Sequence, residues 1–115
     1  MSAKTDAERL LDMLHYAEES ESLMAGRSRL DLDTDLAFRY AQQYCVLIIG
    51  EAASQVSEST RARVPEIPWP AIIGMRNWLV HGYVRINLDT LWTTAERDIP
   101  DLASKLLQII PPEQT

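Results

Sequence analysis

Residues 70–82, PAIIGMRNWLVHG, begin with a proline and end with a glycine, and place an arginine, an asparagine and a histidine among apolar side chains. Proline suits the first turn of a helix, where its missing N–H has no intrahelical bond to lose, and glycine is favoured just past the last turn. The stretch therefore reads as a short helix over about 70–81. A short amphipathic helix is stable only against neighbours, and the flanking sequence provides them.

Upstream, Thr5, Asp6, Ala7 and Glu8 fit a capping box, and Leu10, Leu11, Leu14 and Ala17 follow at helical spacing until Gly26 offers a stop. After the polar connector RSRLDLD, a proline-free stretch from about Asp33 to Ser57 carries an apolar stripe through Leu36, Tyr40, Tyr44, Leu47 and Ile48, which predicts a long second helix. SESTRARVPEIPW, rich in hydroxyls, arginines and prolines, reads as a loop. Beyond VRI, Asn87 suits the N-cap of a last helix carrying Leu88, Leu91, Trp92, Leu102, Leu106 and Ile109, which Pro100 should kink or divide. There is no internal repeat and no period-two strand pattern. The expected fold is an all-α antiparallel bundle of four to five helices, one domain over residues 1–115 with frayed ends at about 1–5 and 111–115.

Composition narrows the function. With 115 residues there is material for one core, and no apolar run approaches the roughly 18 residues of a membrane span. The start, MSAKTDAERL, lacks the basic and apolar regions of a secretory signal, so a cytoplasmic protein is expected. Cys45 is the single cysteine and His15 and His81 the only histidines, so no metal-ligand set at zinc spacing exists. The net charge of -6 argues against general nucleic-acid coating, which needs a surplus of cations, but leaves room for a small basic site. Acids crowd EESE at 18–21 and DLDTD at 31–35, whereas Arg61, Arg63, Arg76 and Arg85 gather around the 70–82 helix.

Within that helix Asn77 and His81, four apart, share a face, so Asn77 can orient the imidazole. Arg76 and His81 are five apart and diverge by about 140° on an undistorted helix. They meet only if the chain turns at Gly82, if a second copy completes the site across a symmetric dimer, or both. A fixed guanidinium and an imidazole that titrates near neutrality can break a phosphodiester without a metal: Arg76 would hold the phosphate and neutralise its growing charge while His81 moves a proton. RNA brings its own nucleophile, the 2′-hydroxyl. Tyr83 would stand on the rim. The plainer reading is that an arginine and a histidine at a helix end are surface or capping groups, with Trp78, Leu79 and Val80 packing.

Other polar residues are weighed similarly. Glu51 interrupts the apolar run LIIGEAA, and a carboxylate there either snorkels to water or pairs with an arginine of the 70–82 helix or its loop and sets the geometry of the site. Gly50 fits close helix approach, Cys45 a small core residue, and His15 partly buried structure. Arg61 and Arg63 are either solvated loop arginines or guides for RNA.

With these residues in view, the sequence resembles the HepT-like branch of the HEPN domain family, whose signature matches Arg76, Asn77, His81 and Tyr83. IIGEAA at 48–53, the PW pair before the motif helix, INLDTLW and DIPDL extend the resemblance from about 6 to 110. It implies a homodimeric, metal-independent ribonuclease toxin, with Arg76 and His81 catalytic and two copies facing each other in a dimer cleft; beside this, the reading of the residues themselves expects no cofactor, puts Asn77 and Glu51 in support, and offers Arg61, Arg63 and Arg85 as guides for RNA. It also implies a partner, a nucleotidyltransferase antitoxin that uses ATP to place AMP on Tyr83. Each added phosphate would compete with RNA for Arg76. The alternative is a noncatalytic HEPN subunit that binds and serves the nucleotidyltransferase.

Overall fold

The first helix, α1 (Asp6–Met24), starts on the expected capping box: the Thr5 hydroxyl accepts from the Glu8 N–H at 3.1 Å and the Glu8 carboxylate accepts from the Thr5 N–H at 2.7 Å. These bonds satisfy backbone donors that a helix start otherwise leaves open. Just past its end, Gly26 takes a φ of 73°, which only glycine adopts without strain. This computed structural model describes residues 3–81 and 86–114, leaving aside the side chains of Val80 and His81.

The connector after α1 is not wholly irregular. A single turn, α2 (Asp31–Thr34), forms where the Asp31 carboxylate accepts from the Ser28 N–H at 2.7 Å, and it tucks Leu32 into the core at 1% exposure. The next helix, α3 (Leu36–Gln55), is capped by Asp35, whose carboxylate accepts from the Phe38 N–H at 3.1 Å. Part of the segment read as a loop is also helical: α4 (Glu58–Arg63) is capped by Ser57 and has Glu58 in its first turn and Arg61 and Arg63 in its last, an order that suits the helix dipole. The motif helix α5 runs Trp69–His81. Asn87 caps α6 (Leu88–Thr93), a π-helical turn follows at Thr94–Asp98, and α7 (Ile99–Ile109) carries Pro100 in its first turn. Pro100 thus divides the last helix where its missing N–H does least harm. Pro112–Gln114 close the chain with a 3-10 turn.

Asp6 meets Ser57 and Ser20 meets Gln42, so α1 and α3 run antiparallel. The Asp6 carboxylate accepts from the Ser57 N–H and hydroxyl and from the Thr60 hydroxyl, tying the start of α1 to α4. α3 also packs along α5, and α7 packs on α1. Met13, Ala53, Val56, Ile67, Leu91 and Leu106 are almost wholly buried in the common core. The architecture is the expected all-α bundle, and among the described residues there are no strands and no helix long and apolar enough to cross a membrane.

Two readings of side-chain placement are corrected. An apolar stripe of this kind ordinarily faces the core, but that of α3 faces out: Leu36, Tyr40 and Tyr44 are 50%, 56% and 53% exposed, while Leu47 and Ile48 are half-buried. The buried face is Phe38, Gln42, Cys45, Val46, Ile49 and Ala53. α3 is apolar on two sides, and Gln42 joins the inner one because Ser20 satisfies its amide, the Ser20 hydroxyl donating to Oε1 at 2.6 Å and Nε2 donating to the Ser20 carbonyl at 3.0 Å. His15 is exposed rather than partly buried, its ring edge-on to Tyr16 and its Nε2 3.7 Å from the Glu19 carboxylate.

Candidate active site

The site begins where α5 crosses α3. A Cβ added to Gly50 would lie 2.1 Å from the Arg76 Cβ, so the absence of a side chain at 50 is what lets α5 approach this closely. Arg76 then emerges beside Glu51. Its Nε donates to Glu51 Oε1 at 2.5 Å, its Nη2 lies against the same oxygen, and its Nη1 donates to Asn77 Oδ1 at 2.8 Å. The two charged side chains are 27% and 41% exposed, so the pair is partly desolvated yet open to solvent.

The contacts fix the guanidinium from two sides. Glu51 takes the edge formed by Nε and Nη2, and Asn77 takes a hydrogen of Nη1. A guanidinium carries more N–H bonds than these use, in a planar fork matched to carboxylate and phosphate. Among the described residues the fork therefore keeps donors for an incoming anion while its plane is already set. Because only the amide oxygen of Asn77 can accept from Arg76, its Nδ2 is left to act as a donor.

Glu51, Arg76 and Asn77 are thus brought together. The His81 side chain, together with Gly82, Tyr83 and Arg85, lies outside the described residues; the backbone of His81 ends α5. Arg61 and Arg63 sit on α4, where Arg61 Nε donates to the Val56 carbonyl at 3.0 Å and Arg63 Nη2 donates to the Thr60 hydroxyl at 3.1 Å. Among the described residues, neither has a hydrogen bond or ion pair with Arg76, Asn77 or Glu51. Cys45 is buried and free, and loss of solvent, followed by the nearby Glu19 charge, pushes its thiol up to about 11, so it stays protonated at neutral pH and is not a nucleophile. Among the described residues no cluster of three or more His, Cys, Asp or Glu side chains could hold a metal ion.

The surface leading to the site was not read from the sequence. On an ideal helix, positions 36, 40, 44, 47 and 51 fall within a sector of about 80°. The exposed Leu36, Tyr40 and Tyr44, with Leu47 beyond them, hence lead along α3 to Glu51 and its arginine. The signal lies in the same stripe, whose apolar character alone does not say which way it faces. On another side of α5, Ile72 and Met75 face Ile99 and Leu102 across an apolar groove rimmed by Asp98 and Asp101, which does not reach Arg76.

An α-helical bundle holding an oriented, part-exposed arginine on its motif helix defines a small all-α protein with an anion-ready site. Residues 13–109 match the family described as "Ribonuclease HepT-like", and the chain belongs to that family. A candidate RNase of Methanocaldococcus jannaschii is 30% identical over 101 residues, covering 88% of this chain and 84% of its own. Another, from Caldanaerobacter subterraneus subsp. tengcongensis, is 31% identical over 103 residues, 87% of this chain and 92% of its own. A "Probable ribonuclease HepT" of Thermococcus cleftensis is 35% identical over 75 residues, 65% of this chain and 68% of its own. No solved structure is a significant match.

Proposed function

We propose that this protein is a metal-independent endoribonuclease toxin of a type VII toxin–antitoxin pair, acting in the cytoplasm at a site completed between two copies of the chain. The observation that carries the reading is Arg76, held in one plane by Glu51 and Asn77 at the end of an exposed apolar stripe. Family membership and the names of the relatives support RNA as the substrate.

In the proposed reaction Arg76 receives the scissile phosphate on the free part of its fork and offsets the charge that builds on the phosphoryl oxygens. The 2′-oxygen attacks phosphorus, its proton passing to a base, and the bond to the 5′-oxygen breaks as that oxygen takes up a proton. His81 moves protons in this exchange, oriented by the Nδ2 of Asn77. The products are a 2′,3′-cyclic phosphate and a 5′-hydroxyl. Arg61, Arg63 and Arg85 guide the strand. Control comes from a nucleotidyltransferase antitoxin: the Tyr83 oxygen attacks the α-phosphorus of ATP, pyrophosphate leaves, and the resulting phosphodiester competes with RNA for Arg76.

Incubation of the purified chain with RNA in EDTA tests the reading. Cleavage leaving cyclic phosphate ends, and lost in Arg76→Ala and His81→Ala, is the expected result. An unmodified wild type that leaves RNA intact would favour the second reading, a noncatalytic subunit that serves the nucleotidyltransferase. Intact mass after co-expression with the nucleotidyltransferase should rise by whole AMP units, and Tyr83→Phe should abolish the rise.

A further inference from the structure

The outward stripe of α3 has a spacing that a second copy can read. Leu36, Tyr40, Tyr44, Leu47, Glu51 and Gln55 are separated by four, four, three, four and four residues, the same forwards and backwards. A twofold contact needs this property, since residue i of one chain must meet residue j of the other while j meets i. Two α3 helices laid antiparallel about a point between Cys45 and Val46 would set Tyr44 against Leu47, Leu36 against Gln55, and Tyr40 against Glu51.

Charge agrees with this register. The Arg39 guanidinium lies 5.7 Å from the centre of the Tyr40 ring, so the end of α3 that carries Tyr40 brings a cation toward the opposing Glu51 carboxylate. Glu51 in turn holds Arg76 through Oε1, leaving Oε2, among the described residues, to receive a donor. Tyr40 is 56% exposed, so its ring is available for such a contact.

We infer that Tyr40 acts in trans: in the paired protein the phenol of each chain stands on the Glu51–Arg76 pair of the other, donating to Glu51 and holding the guanidinium in its phosphate-binding plane. Tyr40 is then a positioning residue, and neither chain alone has a complete site. The inference rests on the proposed ribonuclease reading, and it commits the stripe to a second copy of this chain.

Two experiments on the full chain test it. In a Cys45→Ala background, a Tyr40→Cys chain and a Glu51→Cys chain are co-expressed with different tags and oxidised. A disulfide-linked heterodimer that neither variant forms alone is expected. A linked Tyr40→Cys homodimer, or a dimer by light scattering without the mixed link, would overturn the register, and a monomeric wild type would overturn the inference outright. In that last case the two-copy site falls as well, but RNA cleavage lost in Arg76→Ala would still uphold a ribonuclease that works through Arg76, so the two failures are distinguishable.

The second experiment purifies the heterodimer of Arg76→Ala with Tyr40→Ala through both tags. Each homodimer should cleave RNA at least tenfold more slowly than wild type. The heterodimer keeps one site with both Arg76 and the opposing Tyr40 intact and should recover about half of the wild-type rate. Where Tyr40→Ala fails to pair, Tyr40→Leu takes its place. A heterodimer no faster than its parents, or a fully active Tyr40 variant, would show that Tyr40 does not act across the pair.

Discussion

Where α3 meets α1, the polar groups that go inside are neutral and satisfy one another: Ser20 and Gln42 exchange two hydrogen bonds and both are fully buried. Where α3 meets α5, the polar groups are charged and part open to water, with Glu51 and Asn77 gripping Arg76 over a glycine. Both seams use the same helix. The first is sealed, so its hydrogen bonds stabilise the fold without being available to a ligand. The second stays open, and on the proposed reading its pre-oriented guanidinium exchanges solvent for phosphate with little reorganisation. The comparison teaches that one helix can separate stability from chemistry by presenting neutral groups to one neighbour and charged ones to the other.

The largest expected effect lies on the sealed seam. Met13 on α1 is 0% exposed, and Met13→Ala should destabilise the fold by about 2–5 kcal/mol through lost burial and the cavity left behind. Urea unfolding should show this, while the RNA cleavage rate per folded molecule stays near wild type. Loss of cleavage beyond the unfolded fraction would mean that the seams are not separable.

A smaller effect is expected across the open seam. Gly50→Ala forces a methyl into the space of the Arg76 Cβ, and overpacking of this kind costs about 1–3 kcal/mol. It should also slow RNA cleavage by more than the stability loss explains, because α5 must move and carry Arg76 off Glu51. Equal losses of stability and rate would make Gly50 a packing residue only.

The smallest effect is one of pH. Hydrogen bonds from the Ser57 hydroxyl, then the Thr60 hydroxyl and the Ser57 N–H, hold the Asp6 carboxylate down at about 2, below its usual 3.8. A carboxylate with a depressed folded-state pKa stabilises the fold above the unfolded value and loses that contribution as pH falls through the folded one. Asp6→Asn should therefore lower the melting temperature at pH 7, with the gap to wild type shrinking as pH falls from about 4 toward about 2. A gap that does not change with pH would assign the Asp6 contacts no ionic character.

Features written in local chemistry were legible in the sequence. The Thr5–Glu8 capping box, the Asn87 cap and the proline and glycine bounding the motif helix each act within one turn, so their neighbours in sequence are their partners in space. The Ser57 cap obeys the same rule, but it sat inside a run of hydroxyls, arginines and prolines that resembled a loop. The inward face of α3 was not legible, because Leu36 and the rings of Tyr40 and Tyr44 offer apolar surface on one side as Phe38, Val46 and Ile49 do on the other; the choice depends on Ser20, far away in sequence, accepting Gln42 into the core. Glu51 was intermediate. A carboxylate in an apolar run signals a need for a partner, while the choice of Arg76 follows from the helix crossing at Gly50.

The central claim is that Arg76 serves by its oriented fork and not by charge alone, and Arg76→Lys tests it most directly. Lysine keeps the positive charge but cannot engage Glu51, Asn77 and a phosphate in one plane. Single-turnover cleavage of RNA in EDTA should fall by roughly 100-fold or more in Arg76→Lys, the scale on which one oriented donor matters at an oxyanion, with the melting temperature near that of wild type. An Arg76→Lys protein that cleaves at the wild-type rate would contradict the account.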